Sequence, residues 1–185
     1  VGIAHANHFA WGALAQALYF RKEFDPFRDA AERAIALNPM DGSTVEYLGH
    51  LIAFSGNWER GCELAERARQ LNPNHPSWYW AVPFLDAYRK GDYLSARLLL
   101  TKGNLQKNYL IHALLAAVNG QLGESEAAAR HLSEVLTMVP DFPSTARDEF
   151  SKWYLPDLVD QLMDGLRKAG LEIVAETQLS TSSET

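Results

Sequence analysis

Apolar residues recur along this chain at three- and four-residue intervals, in blocks roughly a dozen residues long divided by short polar breaks. That spacing predicts amphipathic helices, because positions three and four apart share one helical face. From about His5 to Phe20, Phe9, Leu14 and Leu18 keep the period. Asp25-Pro26 then opens a second helix through Ala30, Ala31, Ala34 and Leu37; proline suits a first helical turn, whose amide has no intrahelical acceptor. Further pairs are predicted over about Ser43–Ser55 with Trp58–Leu71, Ser77–Lys90 with Tyr93–Lys102, and Tyr109–Leu122 with Ser125–Met138. Gly56-Asn57, Gly91-Asp92 and Gly123-Glu124 supply the tight turns within them. No useful stretch alternates apolar and polar residues as a half-buried strand does.

The helix pairs repeat. Ala34-Ile35-Ala36-Leu37-Asn38-Pro39 returns as Ala68 and Leu71-Asn72-Pro73, with the two prolines thirty-four residues apart. A fixed period of this length marks a stack of helical hairpins, each unable to bury its apolar stripe alone. Small residues recur at matching places: Ala15, Gly49 and Ala116 in first helices, Ala96 and Ala128, and Ala34 and Ala68, in second helices. Large ones such as Trp11, Leu14, Leu18, Leu48, Ile52 and Leu115 lie between them, the alternation that close helix packing requires.

The phrase Tyr47-Leu48-Gly49, Gly56-Asn57-Trp58, Ala65, Ala68, Pro73 resembles the tetratricopeptide repeat. That resemblance implies an all-α fold: a right-handed superhelical array of antiparallel helix hairpins. About four repeats cover residues 5–41, 42–75, 76–108 and 109–142 within a domain of residues 1–174. The first repeat departs from the pattern, with Lys22 where the turn glycine belongs and Phe27 where alanine is usual. The third departs further: Pro83 falls inside its first helix, Gly103 replaces a late alanine, and Asn108 replaces the closing proline. Proline inside a helix removes a hydrogen bond, so a kink or a late helix start is expected at Pro83. This is either an irregularity tolerated between packed repeats or a bend that opens the groove around Trp78 and Tyr79.

Beyond Pro140 the period stops. Ser144 or Thr145 is expected to cap a helix reaching Trp153, and another runs from Pro156 to the stop signal Arg167-Lys168-Ala169-Gly170. This capping pair, about residues 144–170, is expected to shield the open end of the array. A polar Ser/Thr-rich tail, residues 175–185, is expected to be disordered. Leu110-Ile-His-Ala-Leu-Leu-Ala-Ala, Gln121-Leu122-Gly123, Pro140-Asp141-Phe142 and Asp164 to Leu171 look like the C-terminal repeat region of bacterial class III adenylate/guanylate cyclases and of winged-helix transcriptional regulators. The resemblance implies an upstream effector that does the chemistry or the DNA binding. The chain opens at Val1 with no signal peptide, which suggests a piece of a longer protein.

Charge and composition narrow the partners. A net charge of −6 argues against a nucleic-acid-binding face, which needs clustered Lys and Arg. The longest apolar run, Leu110 to Val118, is interrupted by His112 and too short to span a bilayer. Cys62 is the sole cysteine, which precludes an internal disulfide; a cytoplasmic location is expected, and a periplasmic one is also compatible.

The sequence carries no phosphate loop, dinucleotide turn, nucleophile elbow or zinc-protease motif, so no enzyme and no cofactor are expected. His5 and His8 lie one turn apart without a third ligand, His112 and His131 read as packed histidines with hydrogen-bond partners, and Cys62 reads as an inert thiol. No metal site is assigned. The carboxylates beside Arg and Lys read as solvated faces.

In tetratricopeptide arrays the first helix of each hairpin lines a concave groove. By register the lining here is Tyr19, Tyr47, His50, Phe54, Trp78, Val82, Leu85, Arg89 and Leu114, with Gln16, Phe20, Glu46 and Gln121 beside them. It lacks the Lys, Arg and Asn set with which one subgroup clamps a terminal carboxylate. An aromatic and apolar groove suits a hydrophobic helix or extended peptide from a protein partner. The expected function is a noncatalytic interaction scaffold within a larger bacterial signalling protein. A homodimerisation module is one alternative; a small-ligand sensor that stacks its ligand on Trp78 and Trp80 is the other.

Overall fold

The computed structural model describes residues 7–102 and 108–172. Among them it is all-helical, with no strand. The ten α-helices are α1 (His8–Phe20), α2 (Phe24–Leu37), α3 (Gly42–Phe54), α4 (Trp58–Leu71), α5 (Ala81–Arg89), α6 (Tyr93–Thr101), α7 (Tyr109–Leu122), α8 (Ser125–Met138), α9 (Phe142–Trp153) and α10 (Pro156–Lys168). His5, Gly103 and the 175–185 tail lie outside the described residues.

Helix starts follow local chemistry. The side chains of Asn7, Asp41, Asn57, Asp92 and Asn108 each accept hydrogen bonds from first-turn amides of α1, α3, α4, α6 and α7. These amides have no intrahelical partner, so a short side-chain oxygen there stabilises the start by about 1 kcal/mol. The chain reverses within each pair through a left-handed residue, namely Gly56, Gly91 and Gly123 with φ of 101°, 80° and 74°. Lys22 takes the same place in the first pair, with φ 61°.

Two sequence boundaries shift. The third pair begins with a 3-10 helix, Ser77–Trp80, and becomes α-helical only at Ala81, so Pro83 sits in the first turn of α5. That is the late start expected of it. At α9, Ser144 and Thr145 lie inside the helix, and their hydroxyls bond back to the Asp141 carbonyl. The helix begins at Phe142, with proline in its first turn.

Helices pack in sequence order, α1 on α2, α3 on α4, α5 on α6 and α7 on α8, with α2 on α3, α4 on α5 and α6 on α7 joining the pairs. Ala15, Ala34, Ala68, Ala96, Ala116 and Ala128 are all fully buried. A Cβ on Gly49 would come within 2.8 Å of the Leu64 Cβ, so glycine is what allows α3 and α4 to approach. One continuous core runs through all of these helices and on into α9 and α10.

Candidate functional site

The C-terminal pair seats α10 on α7, the first helix of the last hairpin. It lies along the face made by the C-terminal halves of the first helices, the face expected to form an open groove. The Tyr19 hydroxyl, on α1, donates to the Trp153 carbonyl, and the Lys22 ammonium donates to the carbonyls of Ser151 at 3.3 Å and Lys152 at 3.2 Å. Three orphan carbonyls at the end of α9 are thereby satisfied from α1 and the turn that follows it. The Tyr154 ring meets Phe54 of α3 edge-on at 4.9 Å. On α10, the Gln161 carbonyl accepts from the Tyr88 hydroxyl of α5 at 3.1 Å and the Gln121 amide of α7 at 3.3 Å. Gln121 also donates to Asp164 and accepts from Lys168, and the Lys168 ammonium bonded to Asp164, together with the Gln121 amide, holds the Asp164 carboxyl below the usual range.

Backbone contact makes the α7–α10 junction tight. A Cβ added at Gly165 would lie 2.6 Å from the Ala117 carbonyl, and one at Gly120 would lie 2.9 Å from the Ala169 amide. Leu158, Val159, Leu162, Met163 and Leu166 turn the apolar face of α10 inward and are buried. Burial also drives the phenols of Tyr19, Tyr88 and Tyr154 above their ordinary ionisation range.

The nine expected groove residues divide accordingly. Tyr19, Val82 and Leu85 are completely buried, and His50, Phe54 and Leu114 nearly so. Tyr47 and Arg89 are half-buried, and Trp78 is 44% exposed. His50 gathers Phe54 at 5.4 Å and Trp78 at 5.7 Å into one aromatic cluster, while Arg89 turns away to lie over the Trp58 ring at 4.8 Å. Trp80 is flanked by Arg69 and Lys102, each 4.6 Å from its ring.

What stays open is the stretch between the N-terminal halves of α1 and α3. A slot of about 390 Å³ there is lined by His8, Phe9, Gly12, Ala13, Gln16, Asp41, Thr44 and Tyr47, among others. Asp41 caps α3 from its rim, and its bonds to Thr44 hold its carboxyl below the usual value.

Below Trp78 lies a buried titratable pair. The Glu46 carboxyl touches the Nδ1 of His50 one turn later, yet neither of its oxygens finds an aligned hydrogen-bond donor. Burial pushes Glu46 up to about 9 and His50 down to about 4, so both are neutral at pH 7. The sequence placed both residues beside the groove and gave no sign of their contact.

Other candidates are structural. His112 and His131 meet through their Nδ1 atoms at 3.1 Å across α7 and α8, which supplies the hydrogen-bond partners expected of them. Cys62 is half-buried, its thiol pushed up to about 11 by burial and by Asp86, which opposes the thiolate. Among the described residues no group of three or more His, Cys, Asp and Glu is placed to hold a metal ion, and no helix is long and apolar enough to cross a membrane. Compared with known protein families and with characterised proteins, the chain matches none.

Proposed function

We propose that this chain is a noncatalytic protein-interaction scaffold of the tetratricopeptide type, a right-handed array of hairpins whose concave face recognises an amphipathic helix or an extended apolar segment. One observation carries this reading: the face built from α1, α3, α5 and α7 already receives a helix pair of its own chain. It does so with aromatic rings beneath and with Tyr19, Lys22, Tyr88 and Gln121 directed at helix carbonyls. A face with that chemistry is suited to helices in general. With its C-terminal half filled, the surface left for a partner is the α1–α3 slot, with Tyr47 at its wall and Trp78 on the same side of α3. By its resemblance to regulatory repeat regions, the chain would serve the partner-binding part of a larger bacterial signalling protein.

The test is site-specific photo-crosslinking from Tyr47 in the native host, with exposed Arg33 on α2 as the comparison site. Partner adducts at Tyr47 that vanish in Trp78→Ala support the proposal. Equal adducts from Arg33 would sink it.

A further inference from the structure

Helix α1 has the composition of an interior helix and the exposure of a surface one. None of residues 1–20 is Asp, Glu, Lys or Arg, and the first charge in the chain is Arg21. Of the other first helices, α7 is equally free of charge and buries every residue from Ala113 to Gly120. Helix α3 carries a single acid, the neutral Glu46, and buries nine of its residues. In α1 only Ala15 and Tyr19 are buried. A helix that is apolar all round belongs inside an assembly, since a surface helix normally turns a charged face to water.

The open side is one stripe made of Phe9, Gly12, Ala13, Gln16, Ala17 and Phe20, with Phe9 69% and Phe20 42% exposed. These positions fall on one face at 100° per residue. Their order is also self-complementary. Laid antiparallel about a two-fold axis near Leu14 and Ala15, Phe9 meets Phe20 of the second copy, Gly12 meets Ala17, and Ala13 meets Gln16. An isologous contact requires this reciprocity, in which residue i touches j and j touches i. Small residues at the middle let the two backbones approach while the phenylalanines close the ends. The face is continuous with one that already receives an aromatic ring, because Trp153 packs edge-on against Phe20 at 5.2 Å. No Asp, Glu, Lys or Arg stands on this stripe, so pairing it with its copy buries no charge.

We infer that α1 is a self-association face, and that a second copy of this chain covers it through an antiparallel, two-fold α1–α1 contact. The inference rests on the interaction-scaffold reading and names the occupant of the open end of its concave face. A stripe about 20 Å long sits at the small end of specific interfaces, so the dimer forms in a concentration-dependent equilibrium.

Sedimentation velocity over a wide concentration range tests it, with the full chain compared with Ala13→Glu and, as a control, Arg33→Glu. Both replaced residues are exposed, and circular dichroism confirms that each variant is folded. The expected result is a monomer–dimer equilibrium weakened on the order of tenfold or more by Ala13→Glu and unchanged by Arg33→Glu. A photo-crosslinker at Phe9, in a mixture of isotopically labelled and unlabelled copies, is expected to join residues near Phe20 of the second copy. A monomer at every concentration, a dimer indifferent to Ala13→Glu, or Phe9 adducts elsewhere on the second copy overturns the inference. The Tyr47 crosslinking reports on the scaffold reading separately, since a monomer that still captures a different protein there leaves that reading standing.

Discussion

Glu46 and His50 touch in the core of α3 with neither one charged. Burial forbids the carboxylate, which finds no aligned donor, and forbids the imidazolium; Glu46 is pushed up to about 9 and His50 down to about 4. The pair underlies the 3-10 turn that presents Trp78, because the His50 ring packs against the Trp78 ring at 5.7 Å. The two groups therefore tie the stability of this region to pH in opposite senses.

From about pH 4.5 to 9 the native Glu46 keeps a proton that the unfolded chain has lost, so its contribution falls as pH rises. From about pH 4 to 6.5 the unfolded His50 holds the extra proton, so its contribution rises with pH. The slopes oppose each other below about pH 6.5, and above it only that of Glu46 remains. A Glu46→Gln variant is expected to lack this decline, gaining roughly 1–2 kcal/mol over wild type between pH 7 and 8.5. Urea unfolding at the two pH values measures it, and parallel losses in both proteins would show that Glu46 is ionised in the native state.

Gly165→Ala and Gly120→Ala test the seat of α10 on α7. Alanine in a helix interior ordinarily stabilises by about 1 kcal/mol relative to glycine. Here the new methyl would meet backbone on the facing helix, the Ala117 carbonyl or the Ala169 amide, which a side-chain rotation cannot relieve. Overpacking is expected to win, with a net loss of about 1–3 kcal/mol and an unchanged denaturant slope. A stabilised variant would mean that the two helices are further apart than described.

The hairpins were legible because period, turn glycine and small residues are local signals. Gly56, Gly91 and Gly123 mark left-handed turns, and Ala34 and Ala68 mark close packing. The site was legible only in part. Register drew Tyr19 and Phe54 toward one side of the first helices, where the end of α9 and Tyr154 meet them, but register cannot say what covers a face. That depends on Tyr154, which meets Phe54, on Gln161, which meets Tyr88, and on the contact of Gly165 with Ala117, all distant in sequence and encoded by no periodicity. Pro83 gave its effect away through missing backbone hydrogen bonds, whereas the neutrality of Glu46 depends on burial from several helices at once.

Lys22 separates two opposed effects at one position. Its φ of 61° costs a non-glycine residue about 1–2 kcal/mol, while its ammonium caps the end of α9. Lys22→Ala keeps the backbone strain and loses the cap. Lys22→Gly loses the cap and relieves the strain. Lys22→Gly is therefore expected to be more stable than Lys22→Ala by about 1 kcal/mol. Thermal unfolding of the two variants checks the order, and equal stabilities would place Lys22 outside the left-handed region in solution.

The His112–His131 contact predicts acid sensitivity in the α7–α8 hairpin. These residues stand where the second hairpin has Val45 and Leu64, an apolar pair buried between its helices. Two neutral imidazoles 3.1 Å apart can share one hydrogen, but protonating both leaves two donors face to face. Burial, His112 and Arg130 lower the affinity of His131 for a proton, and only Glu134 on the same helix acts the other way. The unfolded chain therefore binds protons first, and this contribution to stability is lost as pH falls below about 6.5. Replacing His131 with Leu restores the hydrophobic pairing and removes the titration. The difference in Tm between His131→Leu and wild type is expected to grow from pH 8 to pH 5. His50 titrates equally in both proteins and cancels from the comparison. A difference independent of pH would show that His131 binds its proton as readily in the native state as in the unfolded chain, with Glu134 offsetting burial and His112.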